Sequence, residues 1–228
     1  MNIAGIVKTT MVDFPGSTAC ILFVRGCNYN CFYCHNRAIL SPSAPLLEDR
    51  EIGAFLTSRA GLLEGVVISG GEPTLQPDLL PFLRKLKAMG YRVKLDTNGS
   101  SPGIVESLLK EAVCDYFAVD YKAPKGRYPE ICGSGGAAEP VLRTVKLLLE
   151  DGVSFEVRTT VAPQLSEEDL LGMARELPPL PKYILNRYRP PEQYLPEDED
   201  RVSARPYTRA ELEALAAKIR AFQPNVIF

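Results

Sequence analysis

Short apolar runs alternate strictly with amphipathic stretches along this chain, and that alternation constrains the fold more than any other feature. The run 65–69 (GVVIS) is continuous, too short for a helix, and ends in Gly70-Gly71, as a strand buried on both faces does. Further strands are expected at 19–25, 91–96, 115–120, 154–161 and 182–186. Between them the spacing predicts helices near 48–58, with Ile52, Phe55 and Leu56 on one face, then 78–89 closed by Gly90, and 103–111. Others follow at 139–151, ended by Gly152, and at 166–176, with Ser166 as N-cap and acidic residues in its first turn. The last, 208–222, opens with a Thr208/Glu211 capping box. Residues 3–8 alternate apolar and polar before a turn at 13–16, so a strand or hairpin leads into the first core strand. Residues 123–136 read as a Pro/Gly-rich loop and 187–207 as a long surface loop or lid. Six strand–helix units argue for a parallel sheet with helices outside, and six is short of the eight that close a full barrel. The expected fold is an open, incomplete (β/α)6 barrel, with a flat doubly wound sheet as the alternative.

A length of 228 residues suits one domain, with its core at about 17–186 and a loop plus C-terminal helix at 187–228. The 46% apolar content is ample for a core. A net charge of −2 without a basic stripe argues against nucleic acid. No apolar run approaches a membrane span, and residues 1–10 do not read as a signal peptide. The six cysteines are therefore expected reduced, in a cytoplasmic enzyme.

Cys27, Cys31 and Cys34 follow the first core strand in the spacing C-x3-C-x2-C. Three thiolates so close must either grip a metal centre or sit open to oxidation. Structural zinc takes four protein ligands, and an ordinary 4Fe–4S cluster takes four cysteines. Three leave one iron open to a substrate. A zinc knuckle completed by His35, the single histidine, is the bland alternative, but neighbours in sequence rarely both reach one tetrahedral ion. A thioredoxin-like pair at Cys31/Cys34 is crowded by the third cysteine.

Polar and glycine motifs mark the C-terminal ends of successive strands. After the cysteine loop come Ser69-Gly-Gly-Glu-Pro73, Asp96-Thr-Asn-Gly99, Asp120-Tyr-Lys122, Arg158-Thr-Thr160 and Asn186-Arg187. Each alone could be turn chemistry. Together they occupy the rim where barrels and open α/β sheets bind ligands.

With Tyr33 just before the third cysteine, residues 24–36 (VRGCNYNCFYCHN) resemble the signature of the radical S-adenosylmethionine (SAM) enzymes. The reading CxYCHN looks like the subset that activates glycyl radical enzymes. TTMVDFPG near the start, DYKAP at 120–124 and RTTVAP at 158–163 look closest to the anaerobic ribonucleoside-triphosphate reductase activating proteins in their longer form. The likeness runs from Ile3 to about Arg189. It implies a radical SAM barrel in which Cys27, Cys31 and Cys34 hold a 4Fe–4S cluster and SAM binds the open iron. An electron from flavodoxin or ferredoxin would cleave SAM, and the resulting 5′-deoxyadenosyl radical would take hydrogen from a glycine of the partner enzyme. Gly70 and Gly71 would let backbone approach the ligand, and Glu72 would face the SAM ammonium. Thr97 and Asn98 would lie near its carboxylate and ribose, and Lys122 and Arg158 would meet the carboxylate. More plainly, Glu72 is a helix N-terminal acid, and Lys122 and Arg158 are structural partners of Asp120 or Asp96.

No cysteine-rich insert follows Asn36, so a second cluster is not expected. Cys20, Cys114 and Cys132 are scattered and read as core or loop residues. Asn186-Arg187 stands where some activases carry a histidine. Asp96 and Asp120 end what should be neighbouring strands, and their oxygens suit a hard cation. The resemblance to pyruvate formate-lyase activase-like proteins suggests sodium or potassium there. Competing readings are a small-molecule radical enzyme similar to 7-carboxy-7-deazaguanine synthase and a zinc-binding interaction module.

Overall fold

The computed structural model describes Met1–Phe228. Its strands are β1 (Ile3–Thr10), β2 (Ala19–Val24), β3 (Gly65–Gly70), β4 (Arg92–Thr97), β5 (Tyr116–Asp120), β6 (Phe155–Val161), β7 (Tyr183–Arg187) and β8 (Val226–Ile227). They form one sheet in the order β1 to β8, identical to their order in the chain. β1 runs antiparallel to β2, as the hairpin reading predicts, whereas β2–β3, β3–β4, β6–β7 and β7–β8 pair in parallel. A doubly wound sheet reverses its strand order at a switch point. This sheet never does, so it is the open wall of a partial barrel. The helices are α1 (Asp49–Arg59), α2 (Leu79–Ala88), α3 (Pro102–Lys110), α4 (Tyr128–Cys132), α5 (Ala138–Asp151), α6 (Glu167–Glu176), α7 (Glu199–Val202) and α8 (Arg209–Ile219). No helix is long and apolar enough to cross a membrane.

The chain divides into two compact units. The first comprises Met1–Cys27, Ala38–Thr97 and Gly103–Ala118; the second comprises Asn28–Arg37, Asn98–Pro102 and Val119–Phe228. In the first, Val66, Val67 and Ile68 of β3 are fully buried. Each such side chain contributes about 1.5–3 kcal/mol over its exposed state. Phe14 packs with Ala19, Ile21, Val67 and Tyr116. A Cβ at Gly65 would meet the Phe14 ring at 2.7 Å, which is why β3 begins with glycine. Buried Lys94 donates to the Asp13 carbonyl at 2.5 Å and pairs with Asp96 at 3.2 Å.

In the second unit, Ser166 is the N-cap of α6 as expected and closes a reciprocal capping box with Asp169, while Thr208 and Glu211 close the expected box on α8. Gly152 ends α5 at φ 81°, a left-handed position that glycine occupies without strain. Gln223 is 1% exposed; it donates to the carbonyls of Ala174, Leu177 and Pro178 and accepts the Leu180 N–H. It satisfies orphan groups at the end of α6 that burial would otherwise make costly.

Three features depart from the sequence reading. The loop 123–136 contains α4, which Pro129 opens. Residues 187–207 are not a plain surface loop, because they contain α7 and a fully packed Tyr188. The two-residue β8 was not anticipated, being too short to show a period.

Candidate functional site

The first unit carries Cys27 and the Gly70–Glu72 corner. Gly71 N–H donates to the Val24 carbonyl at 2.9 Å and Glu72 N–H to the Gly26 carbonyl at 2.8 Å. A Cβ at Gly71 would lie 1.9 Å from the Gly26 oxygen, and one at Gly70 would lie 2.5 Å from Val24 N. Gly70 also has φ 109°, closed to ordinary side chains. The glycines thus let β3 press against the residues that launch the cysteine loop. Glu72 is completely buried, and one carboxylate oxygen accepts from Thr74 N at 3.0 Å, Thr74 Oγ1 at 2.6 Å and Thr97 Oγ1 at 2.7 Å. Its position is the N-cap of the 3-10 turn Pro73–Leu75, so the plainer of its two readings describes its local role. Asp96 accepts from Ser69 Oγ at 3.2 Å besides its pair with Lys94.

The second unit carries Cys31, Tyr33, Cys34, Asn98, Asp120, Lys122 and Arg158. Asn98 donates to Asn28 at 2.9 Å and accepts Ser100 N–H at 2.9 Å, while Asn28 donates to Ser100 Oγ at 3.0 Å. This ring ties the start of the cysteine loop to the turn after β4. Arg37 donates to the Cys31 carbonyl at 2.8 Å and to Asn30 at 3.0 Å, fixing the loop's far side. Phe32 and Tyr33 stack edge to face at 5.0 Å; Tyr188 meets Tyr33 edge-on at 6.4 Å, and the Arg201 guanidinium covers Phe32 at 4.0 Å. The 187–207 segment is therefore the backing of the cysteine loop, a role its proline- and charge-rich composition did not reveal.

Asp120 accepts from Lys122 at 2.9 Å and from Arg158 at 3.0 Å. Burial would raise its carboxyl, but the two cations outweigh that and hold it well below the usual carboxylate range. Burial likewise pulls Lys122 down, yet Asp120, Tyr33 and Cys31 keep it firmly protonated. The expected sodium or potassium ion between Asp96 and Asp120 is not supported. Asp96 is neutralised by Lys94, and Asp120 by Lys122 and Arg158, so neither carboxylate carries an uncompensated charge.

The Cys31 thiol is drawn down to about 7, first by a hydrogen bond from Cys132 and against its own burial, with Lys122 assisting. Burial pushes the Cys34 thiol up. The Tyr33 hydroxyl is buried without a hydrogen-bond partner. Its place near Lys122 and Cys31 suits a polar ligand rather than apolar packing. His35 is exposed, which disfavours a zinc knuckle closed by that residue. Within the second unit, the thiols of Cys31 and Cys34, the half-buried Lys122 ammonium and the orphaned Tyr33 hydroxyl are the chemistry that an iron–sulfur cluster with an anionic co-ligand calls for. Cys132 reads as a core or loop residue; it is fully buried, and its carbonyl accepts the Asn30 N–H at 2.8 Å, which sets the end of α4 against the cysteine loop. Nothing in its sequence spacing could have shown this, because the contact is made across the fold.

This geometry has known counterparts. Residues 21–177 match the Radical SAM superfamily, and the chain belongs to that superfamily. It is 33% identical over 198 residues to the "Putative glycyl-radical enzyme activating enzyme MJ1227" of Methanocaldococcus jannaschii, covering 84% of this chain and 82% of that one. An AdoMet-dependent heme synthase of Methanosarcina barkeri is 32% identical, but this chain covers only 45% of it. Among solved structures, a domain of pyruvate-formate lyase-activating enzyme from Bacteroides vulgatus superposes with a TM-score of 0.54 at 16% identity, over 69% of this chain and 94% of that one. Streptococcus suis SuiB does so at 0.64 and 17%, over 87% of this chain and 44% of that one. These likenesses establish the fold.

Proposed function

We propose that this chain is the activating enzyme of a glycyl radical enzyme, a radical SAM oxidoreductase whose partner is anaerobic ribonucleoside-triphosphate reductase. The observation that carries the reading is the 33% identity to the Methanocaldococcus jannaschii protein across most of both chains. Motifs TTMVDFPG, DYKAP and RTTVAP favour the reductase as partner. Cys27, Cys31 and Cys34 would hold the 4Fe–4S cluster, which together with SAM supplies one-electron reduction and hydrogen-atom abstraction. The chain's own contribution is placement. Gly70 and Gly71 fix the start of the cysteine loop, and Glu72 locks Thr74 to Thr97 so that the strand ends keep one shape. Tyr33 and Asn98 would contact SAM, and Lys122 with Arg158 would face its carboxylate while Asp120 holds both in place. A flavodoxin or ferredoxin would donate the electron.

The test is anaerobic incubation of reduced, iron-loaded protein with SAM and the reductase. The expected result is a glycyl-radical doublet by electron paramagnetic resonance, erased by a Gly→Ala change at the partner's radical site. Turnover of a free heterocycle, with no radical on any partner, would favour the small-molecule reading instead.

A further inference from the structure

We propose that Arg201 is a positioning residue that clamps Phe32, so that the turn carrying Cys31 and Cys34 holds its shape before any iron arrives, a role that rests on reading those cysteines as cluster ligands. Phe32 is 1% exposed although it lies within the loop, between Cys31 and Tyr33. The Arg201 guanidinium covers its ring at 4.0 Å, and the Tyr33 ring meets it at 5.0 Å with the two planes near perpendicular. The guanidinium is itself held along its edges. It donates to the Glu130 carbonyl in α4 at 2.8 Å and to Asp198, a residue only 8% exposed, at 3.1 Å. The Arg201 carbonyl accepts from Gln164 Nε2 at 2.9 Å, which ties down the main chain too. One residue on, the Val202 carbonyl accepts the Tyr188 hydroxyl at 2.8 Å, and the Tyr188 ring meets Tyr33.

These contacts call for a planar cation with a face and two donor edges, which arginine has and lysine lacks. They act on a turn whose own closure is slight. Cys34 N–H donates to the Cys31 carbonyl at 3.1 Å, and Arg37 donates to the same carbonyl at 2.8 Å. Loops closed by so few bonds open readily unless their side chains are anchored. With Phe32 and Tyr33 both fixed from the 187–207 segment, Cys31 and Cys34 on either side of them cannot turn independently. Ligands held in this way need no ordering when a metal centre binds. Arg201 acts through Phe32, not on a reactant.

The test begins with the full chain freed of iron by chelation, where amide hydrogen exchange is read peptide by peptide. Arg201→Gln and Arg201→Lys should each speed exchange across residues 28–37 by about tenfold, with the peptides of β2 to β4 unchanged. Arg205→Gln, in the same segment but paired with Glu211 on an exposed face, should match wild type. Phe32→Leu should speed exchange as Arg201→Gln does, and the double variant should add little, because both changes remove one contact. On reduced, iron-loaded protein, Arg201→Gln should raise KM for SAM several-fold with kcat nearly unchanged, since Tyr33 loses its setting. Wild-type exchange across 28–37 in Arg201→Gln, full protection in Arg201→Lys, additive losses in the double variant, or an unchanged KM would each overturn the proposal. An even rise in exchange over the whole chain would overturn it as well. Should wild-type protein bind no iron, the cluster reading fails, while the exchange map still decides the clamp.

Discussion

Gly71 lies so close to Gly26 that a methyl group on it would sit 1.9 Å from the Gly26 carbonyl oxygen. Backbone faces backbone there, so no side chain can swing aside. Gly71→Ala should destabilise the fold by about 3 kcal/mol, read from denaturant midpoints. Gly172→Ala, in α6 with open space around it, should instead stabilise by about 0.5–1 kcal/mol. Equal effects from the two changes would mean that the close approach does not govern stability.

Glu72 is the common acceptor for three donors in a site without solvent. Truncation by Glu72→Ala strands those donors, and the loss should reach about 3 kcal/mol or more. Thr97→Val removes one donor and its demand together, so it should cost only about 1 kcal/mol. Thermal unfolding of the two variants separates these values.

The Asp120 carboxylate is held below its ordinary range, so its stabilising effect is complete above the unfolded value near pH 4. It is lost only as pH falls through the lower folded value. At pH 7 Asp120→Asn should cost about 2 kcal/mol; this is below the usual figure for a fully buried pair, because the Asp120 side chain is 31% exposed. The gap between wild type and variant should be flat from pH 7 to about 5 and narrow below about pH 4. Urea unfolding across that range would show it. A gap that widens on acidification would contradict the ion triad.

Anaerobically reconstituted protein should hold about four irons and four sulfides per chain. Replacing Cys27, Cys31 or Cys34 by Ala should remove most of that iron and all SAM cleavage. Cys114→Ala should remove neither, because that thiol is turned to the carbonyls of Val93 and Tyr116. Iron and sulfide assays decide between these outcomes, and tight stoichiometric zinc without iron would sink the cluster reading.

The fold was legible because its determinants are local. Continuous apolar runs such as Val66–Ile68, glycine stops such as Gly152 and capping pairs such as Thr208/Glu211 each act within a few residues. The cysteine spacing pointed to the Radical SAM superfamily for the same reason. What stayed hidden depends on contacts made across the fold. The Cys132 carbonyl reaches Asn30 only once α4 has turned the chain back, and Tyr188 reaches Tyr33 only when residues 187–207 are packed. The cation reading stands without support for a related reason. The pairing of Lys122 and Arg158 with an aspartate was among the sequence readings and is what the structure shows, whereas the Lys94 partner of Asp96 was not foreseen. Composition records those charges without their pairing.

The strand order, which never departs from chain order, bears on how this sheet is built in time. Each new strand finds its partner already waiting at the growing edge, one connection back in the chain. No strand has to be inserted between two that have paired, and no finished edge has to reopen. Loop-closure entropy is therefore met in short instalments along the chain. Assembly can advance from β1 toward β8 like a zip, with each exposed edge covered by the next segment to arrive.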